Sequence, residues 1–304
     1  MSDQSSTVDI RALYASREEE RYDLHARYLN HEMVRVLRTI GFDVRFVRGK
    51  GPYLYDASGA KYLDLISGWG VFALGRNHPA IAQTLRDVLD SDLPNLVQMD
   101  VSPLAGVLAE RLLSRCPWLQ KVVFSNSGAE AFEAAVKFAR AATGRERIVH
   151  CRDSFHGLTY GALSAVGSDV FRQGFGPFVP GFSAIPFNDL AALDRELSAR
   201  DVAAFVVEPI QGKGLHLPSD DYLRSAHDIC RKHGSLFIAD EIQTGLCRTG
   251  RFLAVEHWGA EPDMILLAKA LSGGHVPVGA VLMQRSAFEK VFDRMDKAVV
   301  HGST

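Results

Sequence analysis

The sequence of 304 residues has few cysteines, no long apolar run and almost no excess of charge. Its four cysteines lie far apart, with no Cys-x-x-Cys pair and no His/Cys cluster at zinc-ligand spacing, so we expect reduced thiols and no metal site. A formal net charge of −2 gives no reason to expect a nucleic acid or an acidic membrane surface as partner. Disulfide-rich, zinc-dependent and polyanion-binding classes are therefore poor first hypotheses.

An apolar targeting segment is also lacking. The first residues are polar and charged, and no apolar run approaches the roughly 20 residues that a membrane span needs. We predict a cytoplasmic protein with no membrane partner. Its 47% hydrophobic and 23% charged residues are typical of a globular protein.

The sequence patterns divide the chain into three parts. We predict a polar segment over residues 1–16 and a small α+β unit over 17–100, in which a helical pattern at 18–40 precedes a β-hairpin that turns at 56–59. From 101 to 304, apolar strands alternate with amphipathic helices, which is the pattern of a mostly parallel sheet covered on both faces. The predicted fold class is therefore α/β, with one large domain.

Polar residues end several of the predicted strands. These strands cover residues 121–125, 147–151, 202–208, 235–240, 264–269 and 279–284, and the predicted helices between them cover 128–142 and 221–232. Ligands of open parallel sheets bind at the carboxyl ends of the strands. The candidate site residues are therefore Ser125, Glu208, Asp240 and Lys269.

A helix start follows the first of these strands. Ser127 stands at the cap position and Glu130 three residues later, which is the spacing of a capping box. Gly128 leaves room for a ligand beside the backbone, and free N–H groups at a helix N-terminus favour a phosphate. The alternative is an ordinary capped helix, and the glycine-rich motifs of nucleotide-binding proteins are absent.

Two charged residues follow apolar strands. A buried Asp240 would need a nearby cation, which could be a protonated pyridine nitrogen or, in the alternative, Arg248 or Arg251. Desolvation of Lys269 would lower its pKa and make the amine a nucleophile towards an aldehyde, unless the side chain only reaches out to solvent. A phosphate cradle, a buried aspartate and a buried lysine at the ends of one sheet match what a pyridoxal phosphate site must supply.

The same segments carry a family resemblance, which runs from about residue 40 to the last residue. Its motifs are GAEA at 128–131, FHG at 155–157, EPIQG at 208–212, DEIQTGLCRTGRF at 240–252, AKALSGG at 268–274 and HGST at 301–304. In this order they resemble the class III (ω-) aminotransferases, and the ornithine, acetylornithine and putrescine aminotransferases above all. The resemblance implies a pyridoxal-phosphate-dependent transferase of fold type I.

For the cofactor, the resemblance implies a role at each matching position. Lys269 would hold pyridoxal 5'-phosphate and carry the proton from the α-carbon of the substrate, and Asp240 would pair with the pyridinium nitrogen. Gln243 would bond the phenolic oxygen, Phe155 would stack on the ring, and Glu208 would lie beside it in the substrate pocket.

For the phosphate, the resemblance implies a set of backbone and hydroxyl contacts from Ser127, Gly128 and Ala129. Thr304 matches a threonine that reaches the phosphate of a neighbouring subunit. The resemblance therefore implies a homodimer whose active site is shared across the interface.

On the substrate side, Trp69 matches an aromatic residue at the pocket entrance, although it could equally be a structural tryptophan. Lys213 departs from the family pattern, because several relatives have a glutamate there that pairs with an arginine. We interpret Lys213 as a candidate contact for a substrate carboxylate or phosphate, and as an exposed loop lysine in the alternative. The chain also stops at His301-Gly-Ser-Thr304 without the family's C-terminal small domain, so we expect a fragment of a longer protein.

The expected activity is a transaminase that moves the amino group of a primary amine to a 2-oxo acid such as 2-oxoglutarate. A racemase or aminomutase of the same family would use the same Lys269 and Asp240, so the sequence leaves these alternatives open. A non-catalytic cofactor-binding paralogue would not need Lys269, Asp240 and Gln243 together. A nucleotide-dependent oxidoreductase is disfavoured by the missing glycine fingerprint.

Overall fold

The computed structural model describes residues 8–94, 97 and 100–302. The chain groups into two compact units, one formed by Met1–Gly49 with Tyr53–Leu63 and the other by Lys50–Pro52 with Asp64–Thr304. The change of compact unit therefore falls near residue 63. Our assignment of a small α+β domain up to residue 100 rests on sequence pattern and stays a prediction.

The first unit begins with short helices: α1 (Ile10–Arg17), a 3-10 turn (Glu18–Glu20), α2 (Arg21–Tyr28) and α3 (His31–Thr39). The prediction of one helix over 18–40 is wrong, because the chain leaves helical geometry at Leu29 (φ −122°, ψ −91°). The side chain of Asn30 accepts a hydrogen bond from the Met33 N–H at 3.1 Å and so caps a new helix. Part of the predicted polar segment 1–16 is helical, since α1 begins at Ile10.

Three strands follow and form a sheet in the order β1 (Phe46–Lys50), β2 (Tyr53–Asp56) and β3 (Lys61–Leu63), in which β2 and β3 are antiparallel. The hairpin between β2 and β3 confirms the predicted turn at 56–59. Its geometry comes from Asp56, whose Oδ1 accepts hydrogen bonds from the Ser58 and Ala60 N–H groups, both at 2.9 Å. A short Asp side chain that closes its own turn in this way explains why the sequence signal was sufficient.

The second unit contains the other elements. In chain order these are α4 (Ser67–Gly70), α5 (Pro79–Leu89), α6 (Pro103–Leu113), β4 (Lys121–Ser125), α7 (Gly128–Thr143), β5 (Arg147–Cys151), α8 (Tyr160–Ser164), α9 (Asp169–Arg172), β6 (Phe182–Ile185), α10 (Leu190–Ser198), β7 (Val202–Val207), α11 (Tyr222–His233), β8 (Leu236–Asp240), β9 (Met264–Leu267), β10 (Gly279–Met283) and α12 (Arg285–Phe288). Further 3-10 turns lie at Ala254–His257, Lys269–Ser272 and Met295–Lys297.

The strands of this unit form one sheet in the order β4-β10-β9-β8-β7-β5-β6. The pairs β9/β8, β8/β7, β7/β5 and β5/β6 are parallel, whereas β10 runs antiparallel to both of its neighbours. Strand β10 is reversed because only a 3-10 turn and a loop connect it to β9, and a parallel return needs a longer crossover. The prediction of an α/β fold with a mostly parallel sheet is confirmed.

Alternating residues of the strands feed two apolar cores, one on each face of the sheet. Phe205, Ala239 and Ile265 belong to one core, which Leu193 of α10 and Leu223 of α11 cover. The other core contains their strand neighbours and is covered by the alanine-rich helix α7. Both faces are therefore buried, which explains why the strands have continuous apolar sequences.

Strand β6 and helix α10 were not predicted. Strand β6 lies at the edge of the sheet and only its last residue, Ile185, is buried, so it shows no continuous apolar run. Among the described residues, no helix combines the length and the apolar character needed to cross a bilayer.

Candidate active site

The strand order brings the predicted residues together at the carboxyl-terminal ends of neighbouring strands. Strands β9, β8 and β7 are neighbours, and Lys269, Asp240 and Glu208 lie at or just after their carboxyl ends. Phe155 follows the end of β5, the next strand along. Because β10 separates β4 from β9, the start of helix α7 lies on the far side of the reversed strand.

Asp240 is the most buried of these charged groups, with 3% of its surface exposed. Its Oδ2 accepts a hydrogen bond from Nδ1 of His156 at 2.7 Å, and its Oδ1 accepts one from the Ile242 N–H at 3.0 Å. Its ion-pair partner is therefore His156, whereas the sequence suggested Arg248 or Arg251 as the alternative to a ligand cation.

His156 is the functional residue that the sequence did not assign. Its side chain is buried and stacks on Phe132 with ring centroids 5.0 Å apart, and its Nε2 has no hydrogen-bond partner among the described residues. Burial lowers the pKa of His156, but the hydrogen bond and charge of Asp240 outweigh it and leave the pKa raised. A hydrogen bond to a carboxyl group and its negative charge both favour the protonated form of a buried histidine, so Asp240 is the main cause of this rise.

Lys269 opens a 3-10 turn directly after buried Ala268, with a left-handed φ of 42°. Burial lowers the pKa of its amine, although the charges of Asp240 and Glu208 act in the opposite direction, and Arg248 adds to the lowering. A lowered pKa makes the neutral, nucleophilic amine more accessible near neutral pH. Strained backbone at a reactive residue is common in active sites.

Glu208, directly after β7, connects two loops through its side chain. Its two carboxylate oxygens accept hydrogen bonds from the N–H groups of Phe155 and Gly212, each at 2.9 Å, and burial raises its pKa. The ring of Phe155 is partly exposed and meets Phe171 edge to face, with centroids 5.3 Å apart. One buried carboxylate thus fixes two loops that flank the site.

The start of α7 is capped as predicted. Ser127 Oγ accepts a hydrogen bond from the Glu130 N–H at 3.1 Å, but the Glu130 carboxylate accepts from Asn126, so the capping box is only half formed. A Cβ on Gly128 would lie 2.8 Å from Ile242 Cδ1, so this glycine is also required for close packing. The first N–H groups of a helix have no acceptor within it, which leaves those of Gly128 and Ala129 suited to a phosphate.

The side chain of Gln243 contacts the main chain of Trp69. The Gln243 side chain donates a hydrogen bond from Nε2 to the Trp69 carbonyl at 3.2 Å. The Trp69 indole itself is 75% exposed. A Cβ on Gly212 would collide with Oε1 of Gln243, so the loop before Lys213 runs directly against this amide.

Lys213 has no carboxylate partner among the described residues. Its Nζ donates a hydrogen bond to Ser168 Oγ at 2.7 Å and lies 5.4 Å from the ring centroid of Phe171. Since Phe171 contacts Phe155, the ammonium stands one aromatic ring away from the proposed stacking residue. Thr304 lies outside the described residues.

The part of the chain described here contains no group of three or more His, Cys, Asp and Glu side chains that could hold a metal ion. Its polar groups are instead the buried, hydrogen-bonded Asp240–His156 pair, an amine with a lowered pKa and a helix N-terminus. Together these could hold a molecule that carries a ring cation, a carbonyl and a phosphate.

Comparison with known proteins narrows this description. The model of the family described as aminotransferase class-III matches residues 38–304. The chain belongs to the class III aminotransferases.

Several class III aminotransferases resemble the chain over most of its length. It is 40% identical over 289 residues to the aminotransferase PigE of Serratia sp., a match that covers 94% of this chain and 34% of that protein. It is 45% identical over 240 residues to the acetylornithine aminotransferase of Bacillus cereus, which covers 79% of this chain and 61% of the relative. The chain therefore spans only part of the length of these relatives.

The fold of the class III family is shared with solved structures. The ornithine aminotransferase of Toxoplasma gondii ME49 matches with a TM-score of 0.86 and 32% identity, covering 98% of this chain and 70% of that one. A second structure of the Toxoplasma enzyme is described as having partial occupancy of PLP at its active site.

The residues of this chain fit such a cofactor. The buried Asp240–His156 pair suits a protonated ring nitrogen, Lys269 has the lowered pKa that attack on an aldehyde needs, and the α7 N-terminus suits a phosphate. The signal for His156 was available in the FHG motif beside Phe155, but nothing in the spacing indicated that it reaches Asp240.

Proposed function

We propose that the protein is a pyridoxal 5'-phosphate-dependent transaminase that moves an amino group from a primary amine or ω-amino acid to a 2-oxo acid, most simply 2-oxoglutarate. The observation that carries the proposal is the placement of Lys269, with its lowered pKa, next to the buried Asp240–His156 pair. A cation-stabilising carboxylate and a neutral amine at one sheet edge are what this chemistry requires of a protein.

The cofactor is pyridoxal 5'-phosphate, which supplies an electron sink for the carbanion formed next to the amino group. Lys269 would hold it through the amine, and Asp240, which accepts a hydrogen bond from His156, would pair with the ring nitrogen. Gln243 would bond the phenolic oxygen and Phe155 would cover the ring face. Once released, the Lys269 amine would take the proton from the carbon that bears the amino group.

The phosphate would be held by the Ser127 hydroxyl and by the N–H groups of Gly128 and Ala129 at the start of α7. This assignment is supported by the cap geometry, in which Ser127 leaves the first N–H groups of the helix pointing outwards. Thr304 would complete the phosphate site of a second copy of the chain, which makes the active unit a homodimer.

The substrate would be recognised by exposed groups around the site. Trp69 would line the entrance, and Lys213 would attract a carboxylate of the donor or of the 2-oxo acid. Support for Lys213 comes from its lack of an acidic partner in the described part of the chain.

The test is a visible absorption spectrum of the purified protein, followed by borohydride reduction and peptide mapping. We expect a yellow protein with the reduced adduct on Lys269, and bleaching by those amines that serve as donors. The matched control is Lys232→Ala, a surface lysine that pairs with Asp194 and should leave the spectrum unchanged. A colourless protein that takes up no added pyridoxal phosphate would overturn the proposal.

Release of the aldehyde derived from the amine donor must accompany the bleaching, and the 2-oxo acid is consumed only when it takes up the amino group. Glutamate formed from 2-oxoglutarate, measured against each amine in turn, would rank the donors. Cofactor binding without amino transfer, but with racemised or isomerised amine as product, would replace the transaminase by a racemase or an aminomutase.

A further inference from the structure

Helix α4 is a strained turn rather than an ordinary helix. Its four consecutive residues all have left-handed φ values: 52° at Ser67, 61° at Gly68, 60° at Trp69 and 89° at Gly70. Residues with side chains adopt this region singly, and rarely in a run. Such backbone persists only where its surroundings fix it, so the contacts of this turn are informative.

Polar side chains provide these contacts. Gln243 Nε2 donates to the Trp69 carbonyl at 3.2 Å, and Arg248 Nη2 donates to the next carbonyl, that of Gly70, at 3.0 Å. On the other flank, Asp64 Oδ1 accepts from the Ser67 N–H at 2.9 Å. Because the Trp69 indole is largely exposed, packing of its ring does not explain the conformation.

The charge of Arg248 also acts on the Lys269 amine. Burial is the main cause of the lowered pKa of Lys269, and the charge of Arg248 is a further cause. Arg248 has no ion-pair partner among the described residues, and the hydrogen bond found for its guanidinium there goes to the Gly70 carbonyl. A Cβ added to Gly70 would lie 3.7 Å from Arg248 Nε, so the side chain lies against the turn.

We propose that Arg248 is a positioning residue that fixes the Ser67–Gly70 turn and thereby holds the Trp69 indole at the substrate side of the Lys269 site. This inference rests on the proposed function, because it assigns Trp69 to the substrate pocket of a transaminase. It gives Arg248 a role in substrate binding, where the sequence suggested it only as an alternative partner of Asp240. Gln243 acts on the same turn, but its amide is also needed for the cofactor.

The test compares Arg248→Met, Arg248→Lys and the control Arg251→Met in protein labelled with 5-fluorotryptophan. Arg251 is exposed, lies in the same loop and makes no hydrogen bond or ion pair within the described ranges. The ¹⁹F resonance of Trp69, assigned with Trp69→Phe, is recorded in cofactor-free protein. In Arg248→Met we expect it to move towards the position of a freely rotating indole, with the other two resonances unchanged.

The loaded protein then gives the kinetic counterpart. In Arg248→Met the KM of the amine donor should rise by about tenfold while kcat changes by less than about threefold, since the turn acts in binding. Arg248→Lys keeps the charge but cannot reproduce the planar guanidinium contact, so the ¹⁹F shift should appear there as well. Arg251→Met should match the wild type in both measurements.

The inference is overturned if Trp69 keeps its wild-type resonance in both Arg248 variants, or if KM is unchanged in them. Should Arg248→Met fail to fold, as judged by circular dichroism, Arg248→Lys decides the question. If the wild-type protein transfers no amino group at all, the proposed function fails, whereas the ¹⁹F comparison still shows whether Arg248 orders the turn.

Discussion

The two sides of the site are built differently. On the cofactor side, Asp240 and His156 are buried, bonded to each other and backed by the core of the sheet. On the proposed substrate side, Trp69 and Lys213 are exposed; Gln243 donates a hydrogen bond to the Trp69 carbonyl, and Lys213 donates one to Ser168. The charge pattern for the cofactor is thus fixed by burial, whereas the groups that would meet the substrate depend on a few polar contacts.

This contrast separates contacts that are costly to break from contacts that are not. A buried ion pair cannot lose one partner without leaving an uncompensated charge. An exposed loop residue contributes much less, because water replaces its contacts. We therefore expect substitutions on the two sides to differ in the size of their effect and in the kinetic constant that they change.

Lys269→Ala should have the largest effect. Without this amine, no side chain can take the proton at the substrate carbon, and we expect kcat to fall by about 10⁴-fold. Steady-state assays of glutamate formation, together with loss of the borohydride-stable adduct, would measure it. Retention of the adduct at another lysine would contradict the assignment, and Lys232→Ala is the matched control.

Asp240→Asn should follow, with a loss on the order of 10² to 10³ in kcat, because an amide cannot stabilise a ring cation. The His156 imidazolium would also lose its partner, so the pKa of His156 should fall towards its usual range or below. Single-turnover kinetics and NMR titration of His156 would show both effects. Activity within threefold of the wild type would contradict the buried-pair model.

The control for this variant is Asp201→Asn. Asp201 precedes β7 at the opposite edge of the sheet and pairs with Arg147. The variant Asp201→Asn makes the same chemical change away from the site, so its kcat should match that of the wild type.

Because Glu241 is buried beside Asp240, we expect the free energy of unfolding to depend on pH. Burial raises the pKa of its carboxyl from 4.5 to about 7, although Thr244 and the Val255 N–H donate hydrogen bonds to it. The folded chain therefore keeps this proton at pH values where the unfolded chain has lost it. The contribution is fully present below pH 4.5 and is lost as the pH rises towards 7, by about 3 kcal/mol in all.

Urea unfolding at several pH values would measure the slope of the free energy of unfolding against pH. In Glu241→Gln the part of the slope due to this group should disappear, so the difference in free energy of unfolding from the wild type should change between pH 4.5 and 7. The exposed carboxylate variant Glu261→Gln should leave the slope unchanged. Parallel curves for the wild type and Glu241→Gln would mean that Glu241 does not hold the proton.

Lys213→Met should have the smallest effect and mark the substrate side. The methionine keeps much of the packing on Phe171 but loses the charge and the bond to Ser168. We expect the KM of an acidic 2-oxo acid to rise by up to about fivefold with kcat unchanged, as is typical of an exposed charge contact. Ser168→Ala, which removes the bond and keeps the charge, should change KM less. If KM rises equally in both variants, the effect comes from the hydrogen bond that orders the loop and not from the charge of Lys213.

Much of the cofactor side could be predicted from the sequence. The strands 121–125 and 147–151 were placed without error. Three others end one or two residues earlier than predicted, because Glu208, Lys269 and Gln284 lie beyond the strand ends, and the strand predicted at 235–240 begins one residue later, at Leu236. In a sheet buried on both faces, a continuous apolar run that ends in a charged residue predicts both the strand and the place where it ends. The helix break at Leu29 had no such signal, because the apolar spacing continues through it.

The chemical groups at the strand ends follow from the sequence, because the local apolar pattern defines which segments are buried strands and where they end. The tertiary structure alone decided their partners. His156 reaches Asp240 across 84 residues, and Gln243 and Arg248 reach the Ser67–Gly70 turn across 174 and 178. Contacts at such separations depend on the order of strands in the sheet and on loop paths, and no local pattern encodes these.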